Sequence, residues 1–189
     1  MKIINYLTVV SGLAPIGNGR GMTARTGVFV SLGVAAVLTA LSGEAQATPS
    51  SNILSAPVVA RASFVDPVDV KFKNKDGNQQ VFQAPELLET VMQQIIIGPG
   101  GSTGWHSHPG PVVVLIKAGE FTFYSSEDLT CTPRTYSAGQ AFIDPGQGHV
   151  HLGRNLSTSQ NVEVWVTYFD VPTGGPFRLD APNPGNCGF

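Results

Sequence analysis

The four histidines of the chain lie in two short motifs. His106 and His108 are separated by one residue, and so are His149 and His151. In a β-strand, residues i and i+2 project from the same face, so each pair directs two imidazoles the same way. Imidazole is a common ligand of transition metals. The distribution of the histidines therefore predicts a metal site rather than four unrelated core residues.

The residues around these histidines form two ordered blocks. The matching positions of the first block are Gly100, His106, His108 and Gly119, and those of the second are Gly139, Pro145, Gly148, His151 and Asn155. The blocks resemble the two motifs of the cupin superfamily, G-x5-H-x-H-x3-4-E-x6-G and G-x5-P-x-G-x2-H-x3-N. One extra residue lies between Pro145 and Gly148 in the second block. The resemblance covers roughly Ile95 to Phe169, the centre of the chain.

The resemblance implies an all-β fold, the double-stranded β-helix (jelly-roll) barrel of a small single-domain cupin. It also implies a divalent metal ion (Fe, Mn, Zn, Ni or Cu) inside the barrel, held by His106, His108 and His151. The extra residue leaves His149 as the other candidate for the third ligand, although the x3-N spacing favours His151. Trp105 lies beside His106, where it either stacks on a ligand in the pocket or packs in the core.

The chain departs from the family pattern at the glutamate position, which is occupied by Val112. Asp144, before Pro145, is a carboxylate that nothing in the sequence places in the site. With three neutral imidazoles and no anionic ligand, a divalent ion keeps its full formal charge. Such an ion should attract an anionic or chelating ligand through its open positions. We expect Val112 to line the pocket without binding the metal.

Short runs with β-type patterns fill the rest of the chain from about Val58 onward. The turn signal Asn74–Asn78 predicts a hairpin between the runs that flank it. Ala84–Thr90 could begin as a helical turn, and a strand over Met92–Ile97 is expected to break at Gly98–Gly101. Val112–Ile116 is typical of a strand buried on both faces. Further strands are expected at Phe121–Tyr124, Arg134–Ser137, Ala141–Asp144 and Asn161–Asp170, the last with Val162, Val164, Val166 and Tyr168 on one face.

The N-terminal region has the pattern of a secretory signal peptide. Two arginines precede the apolar run Val28–Leu41, and Ala45-Gln46-Ala47 forms an A-x-A cleavage site. The alternative is a membrane anchor, but the run is shorter than the ~20 residues of a spanning helix. Met22 is an alternative start, in which case residues 1–21 are an extension of the true coding sequence.

We therefore divide the chain into a signal peptide, residues 1–47, a short tether, residues 48–57, and a cupin domain, residues 58–189. This division predicts a secreted or periplasmic protein with no stable membrane insertion after cleavage. Three of the 11 basic residues and one of the 13 acidic residues lie before Thr48. The mature chain thus has 8 basic and 12 acidic side chains, a net charge of −4 that offers no surface for nucleic acid.

The two cysteines, Cys131 and Cys187, both lie in the mature part. In an oxidising compartment an even count predicts one disulfide; the alternative is two free thiols.

Two classes of function follow. One is a metal-dependent enzyme of the dioxygenase or isomerase type that acts on a small molecule. The other is a non-catalytic protein that binds a metal or a small ligand. The family resemblance also allows a homodimer.

Overall fold

The computed structural model describes residues 46–73, 81–84 and 87–189, and every regular element within these ranges is a β-strand. The all-β prediction is therefore confirmed. The strands are β1 Ser51–Ser55, β2 Val58–Ser63, β3 Val70–Lys73, β4 Val81–Ala84, β5 Glu89–Ser102, β6 His106–Ser107, β7 Val112–Ala118, β8 Glu120–Ser125, β9 Arg134–Ser137, β10 Ala141–Asp144, β11 His151–Arg154, β12 Val162–Val171 and β13 Leu179–Asp180.

The strands form a nearly closed antiparallel barrel of the jelly-roll type. On one side, β10, β7, β12 and β5 pair in that order, and β1 and β2 pair with the free edge of β5. On the other side the order is β9, β8, β11, β6 and β13. The two sides join where Ser102 of β5 pairs with Arg154 of β11.

The barrel core is built from alternating residues of long strands. Val162, Val164, Val166 and Tyr168 of β12 are at most 4% exposed, so the predicted inward face is confirmed. The expectation that Val112–Ile116 is buried on both faces is wrong. Val112, Val114 and Ile116 of β7 are buried, but Leu115 between them is 46% exposed because the outer face of this sheet meets solvent.

The proposed tether contains a strand. Ser51–Ser55 pair with β5 as β1, and Ile53 lies opposite Ile97. Register shifts between Ser51 and Ile53, and again before Ser55, allow this polar segment to follow a bent part of β5. Just before it, the Thr48 amide donates to the Ala181 carbonyl oxygen at 2.9 Å. A free tether is therefore the wrong description of residues 48–57.

Strand β5 is longer than predicted at both ends. It continues through Gly98–Gly101, where a break was expected, because the irregular pairing with β1 absorbs the glycines and Gly100 takes a positive φ of 69°. At its start, Glu89 and Thr90 pair with β2 instead of forming a helical turn.

Some sequence predictions fall partly or wholly outside the described residues. Strands β3 and β4 pair antiparallel as a hairpin, but its turn at 74–78 lies outside them, as do Pro85 and Glu86. The predicted signal peptide also lies outside them, apart from Gln46 and Ala47. Among the residues that the structure does describe, no helix has the length and apolar character needed to cross a membrane.

The predicted disulfide is present. Cys131, in the loop after β8, is bonded to Cys187 with a Cα–Cα distance of 5.2 Å. The bond attaches the C-terminal segment, Pro172–Phe189, to the barrel. Under this segment lies a second buried cluster, formed by Trp105, Tyr124, Leu152, Ala181 and Cys187.

Candidate metal centre

Strand pairing brings the two histidine motifs together. His106 in β6 lies directly opposite His151 in β11, and their ring centroids are 4.3 Å apart. The ring of His108, just after β6, lies 4.9 Å from that of His106 and 5.1 Å from that of His151. One potential ligand atom from each of the three residues lies within 4.8 Å of the others. The three histidines that the resemblance implied as ligands therefore converge.

Each of the three rings is oriented by a backbone carbonyl oxygen. Nδ1 of His106 lies 2.8 Å from the Gly104 oxygen, and Nδ1 of His108 lies 2.7 Å from the Phe177 oxygen. Nδ1 of His151 lies 3.3 Å from the His149 oxygen. A carbonyl only accepts, so these contacts require the proton on Nδ1 and leave the lone pair of the neutral ring on Nε2. This second layer of hydrogen bonds is typical of histidines that bind a metal.

Burial keeps the imidazoles neutral. The three side chains are 6%, 3% and 5% exposed in chain order. Burial lowers the pKa of His106 and of His151 well below the ordinary value. Burial also lowers the pKa of His108, although the Asp144 carboxylate opposes the shift. Neutral rings are the form that coordinates a metal, so the cluster needs no deprotonation near pH 7.

The cluster lies in a cavity of about 40 Å³ inside the barrel. One water molecule requires roughly 10–15 Å³ on this measure, so the cavity accommodates about three water-sized groups. Val112 lines it, as predicted, and so do Phe121 and Phe123 of β8. The full lining is Ile95, Thr103, His106, His108, Val112, Val114, Phe121, Phe123, Phe142, Asp144, His151, Val164, Val166 and Tyr168.

Trp105 is not part of the cavity lining. Its side chain is fully buried in the second cluster, next to Tyr124 and Leu152. The reason is the alternation of the strand, because neighbours of His106 project to the opposite face. Of the two interpretations left open for Trp105, packing is the correct one.

His149 also lies outside the cavity lining, and both of its ring nitrogens are occupied. Nδ1 lies 2.8 Å from Asp144 Oδ1, and Nε2 lies 2.8 Å from Ser125 Oγ. The extra residue of the second motif explains this position. Gly146, Gln147 and Gly148 have φ values of 63°, 53° and 86°, a left-handed turn that absorbs the added residue before β11 begins at His151.

Asp144 is the residue of the site that sequence reasoning failed to place. It ends β10 directly opposite Val112 of β7, lines the cavity and is 1% exposed. Burial alone would raise the pKa of its carboxyl, but the imidazoles of His151 and His149 outweigh burial and hold that pKa below the ordinary value. The alternation of the run Ala141–Asp144, combined with its pairing to β7, was the signal that could have found it.

Comparison with known proteins found partial similarity to several solved structures. No protein-family model and no curated protein matches the chain. Among solved structures, a recombinant oxalate oxidase in complex with glycolate is 23% identical over 43% of this chain and 41% of its own, with a TM-score of 0.37. A cupin-like protein from Thermotoga maritima is 20% identical over 50% and 65%, with a TM-score of 0.43. The polyketide cyclase RemF from Streptomyces resistomycificus is 16% identical over 51% and 63%, with a TM-score of 0.41.

The chain thus spans less than half the length of the oxalate oxidase that it matches. The two motifs of this chain lie between strands β5 and β11, and the antiparallel barrel brings His106, His108 and His151 into one buried cavity. The chain thus resembles the cupin superfamily in its two motifs and in its antiparallel barrel.

Proposed function

We propose that this chain is an exported cupin that binds one divalent metal ion through the Nε2 atoms of His106, His108 and His151. One observation carries the proposal. The three buried rings converge, and Nδ1 of each lies within 3.3 Å of a carbonyl oxygen, which leaves Nε2 of each as the free donor. Imidazole donors suit Fe, Mn, Zn, Ni and Cu, and the donor set does not distinguish among them.

The cavity favours a small ligand. It has room for about three water-sized groups, so it admits a molecule of few heavy atoms or the reactive end of a larger one. Its walls are mostly valine, isoleucine and phenylalanine, which exclude water around a few polar groups. A bound metal would supply Lewis acidity and open positions for an oxygen-containing ligand. These features support a dioxygenase-type or isomerase-type enzyme that acts on a small oxygenated molecule.

The alternative is a non-catalytic protein that binds the metal or a small ligand. It is favoured by the hydrogen bonds that already occupy two other polar side chains of the cavity lining, Tyr168 and Thr103. The Tyr168 hydroxyl donates to Gln93 Oε1 at 2.9 Å, and burial raises its pKa far above the ordinary value. Thr103 Oγ1 donates to the Gly104 oxygen and accepts the Gly153 amide. Neither group is poised to transfer a proton.

Elemental analysis and turnover on the same preparation separate the two. The protein is purified after export by its own host, its first residue is determined and its metals are measured by mass spectrometry. The proposal predicts Thr48 as the first residue and one metal ion per chain. Oxygen uptake or conversion within a panel of small oxygenated molecules, abolished in His106→Ala, would support the enzyme.

Metal bound tightly without turnover of any panel member would support the non-catalytic alternative. A wild-type preparation that neither contains nor takes up a divalent ion would overturn metal binding, and with it the proposed enzyme. A first residue before Val28 would contradict export through a cleaved signal peptide.

A further inference from the structure

A buried carboxylate lies next to the position at which the family pattern has its glutamate. That position is Val112 in β7, and the residue paired with it across the sheet is Asp144 in β10. Both residues line the cavity. The chain therefore has a negative charge beside its histidine cluster, supplied from the neighbouring strand.

We propose that Asp144 is a positioning residue for the metal site, which orients the His151 ring and supplies the negative charge that Val112 does not. This inference rests on the proposed metal binding by the three histidines. We place Asp144 behind the metal ligands. Its carboxylate lies within 4.8 Å of nitrogens of His149 and His151, and it is not part of the group that His106, His108 and His151 form.

The contacts of the carboxylate support this role. Asp144 Oδ1 lies 3.3 Å from Nδ1 of His151, on the side of the ring opposite to Nε2. The same Nδ1 lies 3.3 Å from the His149 carbonyl oxygen, so two acceptors face one N–H. A carboxylate in this place restrains the ring and makes Nε2 a stronger donor. It also offsets part of the charge of a divalent ion bound by neutral ligands.

The carboxylate is itself held in place by the second histidine of the motif. His149 Nδ1 donates to Asp144 Oδ1 at 2.8 Å, and His149 Nε2 accepts the Ser125 hydroxyl at 2.8 Å. The Gly146 amide donates to Asp144 Oδ2 at 3.2 Å. Ser125 in turn pairs with His151 across β8 and β11. The chain of contacts from Ser125 through His149 and Asp144 thus ends at the ligand.

Direct binding of the metal by Asp144 and His149 is disfavoured by the same distances. Their closest atoms are separated by 2.8 Å, the length of a charge-assisted hydrogen bond. The other nitrogen of His149 is also occupied, so ligation would break one of two hydrogen bonds. The function of His149 that follows is to hold the carboxylate.

The test uses the full exported chain, stripped of metal with a chelator and titrated with Zn²⁺ against a competing chelator, then with Co²⁺ for its visible spectrum. Asp144→Asn keeps the shape of the side chain but removes its charge. It should weaken Zn²⁺ binding about 10- to 100-fold and change the Co²⁺ spectrum. The matched control Asp66→Asn removes an exposed carboxylate elsewhere and should leave both unchanged.

Two further variants keep the inference testable if Asp144→Asn does not fold. His149→Ala removes the donor to Asp144 and should weaken Zn²⁺ binding, whereas the amide of His149→Gln can donate to the same oxygen and should restore most of the affinity. Wild-type affinity and spectrum in Asp144→Asn, or equal affinities in His149→Ala and His149→Gln, would overturn the inference. Failure of the wild-type protein to bind Zn²⁺ or Co²⁺ would instead overturn the proposed function.

Discussion

Loss of the Cys131–Cys187 disulfide should destabilise the barrel by an amount that follows from the length of the loop it closes. The two cysteines are 56 residues apart. The chain-entropy model assigns about 4 kcal/mol to a loop of that length. At 2–4 °C per kcal/mol for a domain of roughly this size, Tm should fall by roughly 8–16 °C.

The disulfide should also affect the metal site, because it secures the C-terminal segment. The Phe177 oxygen in this segment accepts a hydrogen bond from Nδ1 of His108 at 2.7 Å. Strand β13 pairs with β6, and the Ala181 amide donates to the Trp105 oxygen at 2.9 Å. Without the disulfide, only these hydrogen bonds would hold the C-terminal segment against the barrel. We therefore expect weaker Zn²⁺ binding as well as a lower Tm.

Thermal unfolding of metal-free protein, with and without a phosphine reductant, measures the first effect. The variant Cys131→Ala/Cys187→Ala is the control, since its Tm should be low and insensitive to the reductant. A double variant that melts within 2 °C of the oxidised wild type would refute the reasoning about stability. A normal Zn²⁺ affinity in that variant, despite a lower Tm, would refute the claim that the segment positions His108.

Three other predictions concern the cavity, the motif turn and an ion pair. Val112→Glu should tighten Zn²⁺ binding, since it adds a carboxylate to the cavity; weaker retention would show that position 112 does not face the metal. Gly146→Ala should lower Tm much more than Gly148→Ala. Both glycines have a positive φ, but only at Gly146 would an added Cβ lie 1.7 Å from the Gly110 oxygen. Equal losses of stability in urea or thermal unfolding would contradict this prediction. The hydrogen bond from Arg61 lowers the pKa of Glu89, so the stabilisation is fully present above the ordinary pKa of a glutamate and is lost as pH falls through the lowered pKa. Glu89→Gln should therefore be less stable than wild type at pH 7, and this difference should shrink as pH falls. A pH-independent difference would argue against the ion pair.

Local sequence patterns were sufficient to predict the features that depend on a residue's type and its position within one strand. The alternation of β12 set its buried face, and the i, i+2 spacing of His106 and His108 placed both rings in one cavity. The even number of cysteines led to the correct disulfide. These features depend on strand geometry and on chemistry that is the same in every fold.

The remaining features depend on contacts between distant segments. β1 is a strand only because β5 offers it a free edge, and β5 passes through its glycines only because β1 pairs there. Asp144 enters the site through its pairing with Val112, more than 30 residues earlier in the chain. Strand alternation turns Trp105 away from the cavity, but the cluster that buries it there includes Ala181 and Cys187 of the distant C-terminal segment. No local window of the sequence contains such information.

The metal content of four single histidine variants tests the central claim most directly. His106→Ala, His108→Ala, His151→Ala and His149→Ala are produced in the same host, and the metal per chain is measured by elemental mass spectrometry beside the wild type. The account predicts about one ion per chain in the wild type, most of it retained in His149→Ala and nearly all of it lost in the other three. A wild type without metal, or a loss in His149→Ala as large as that in His151→Ala, would contradict the three-histidine site.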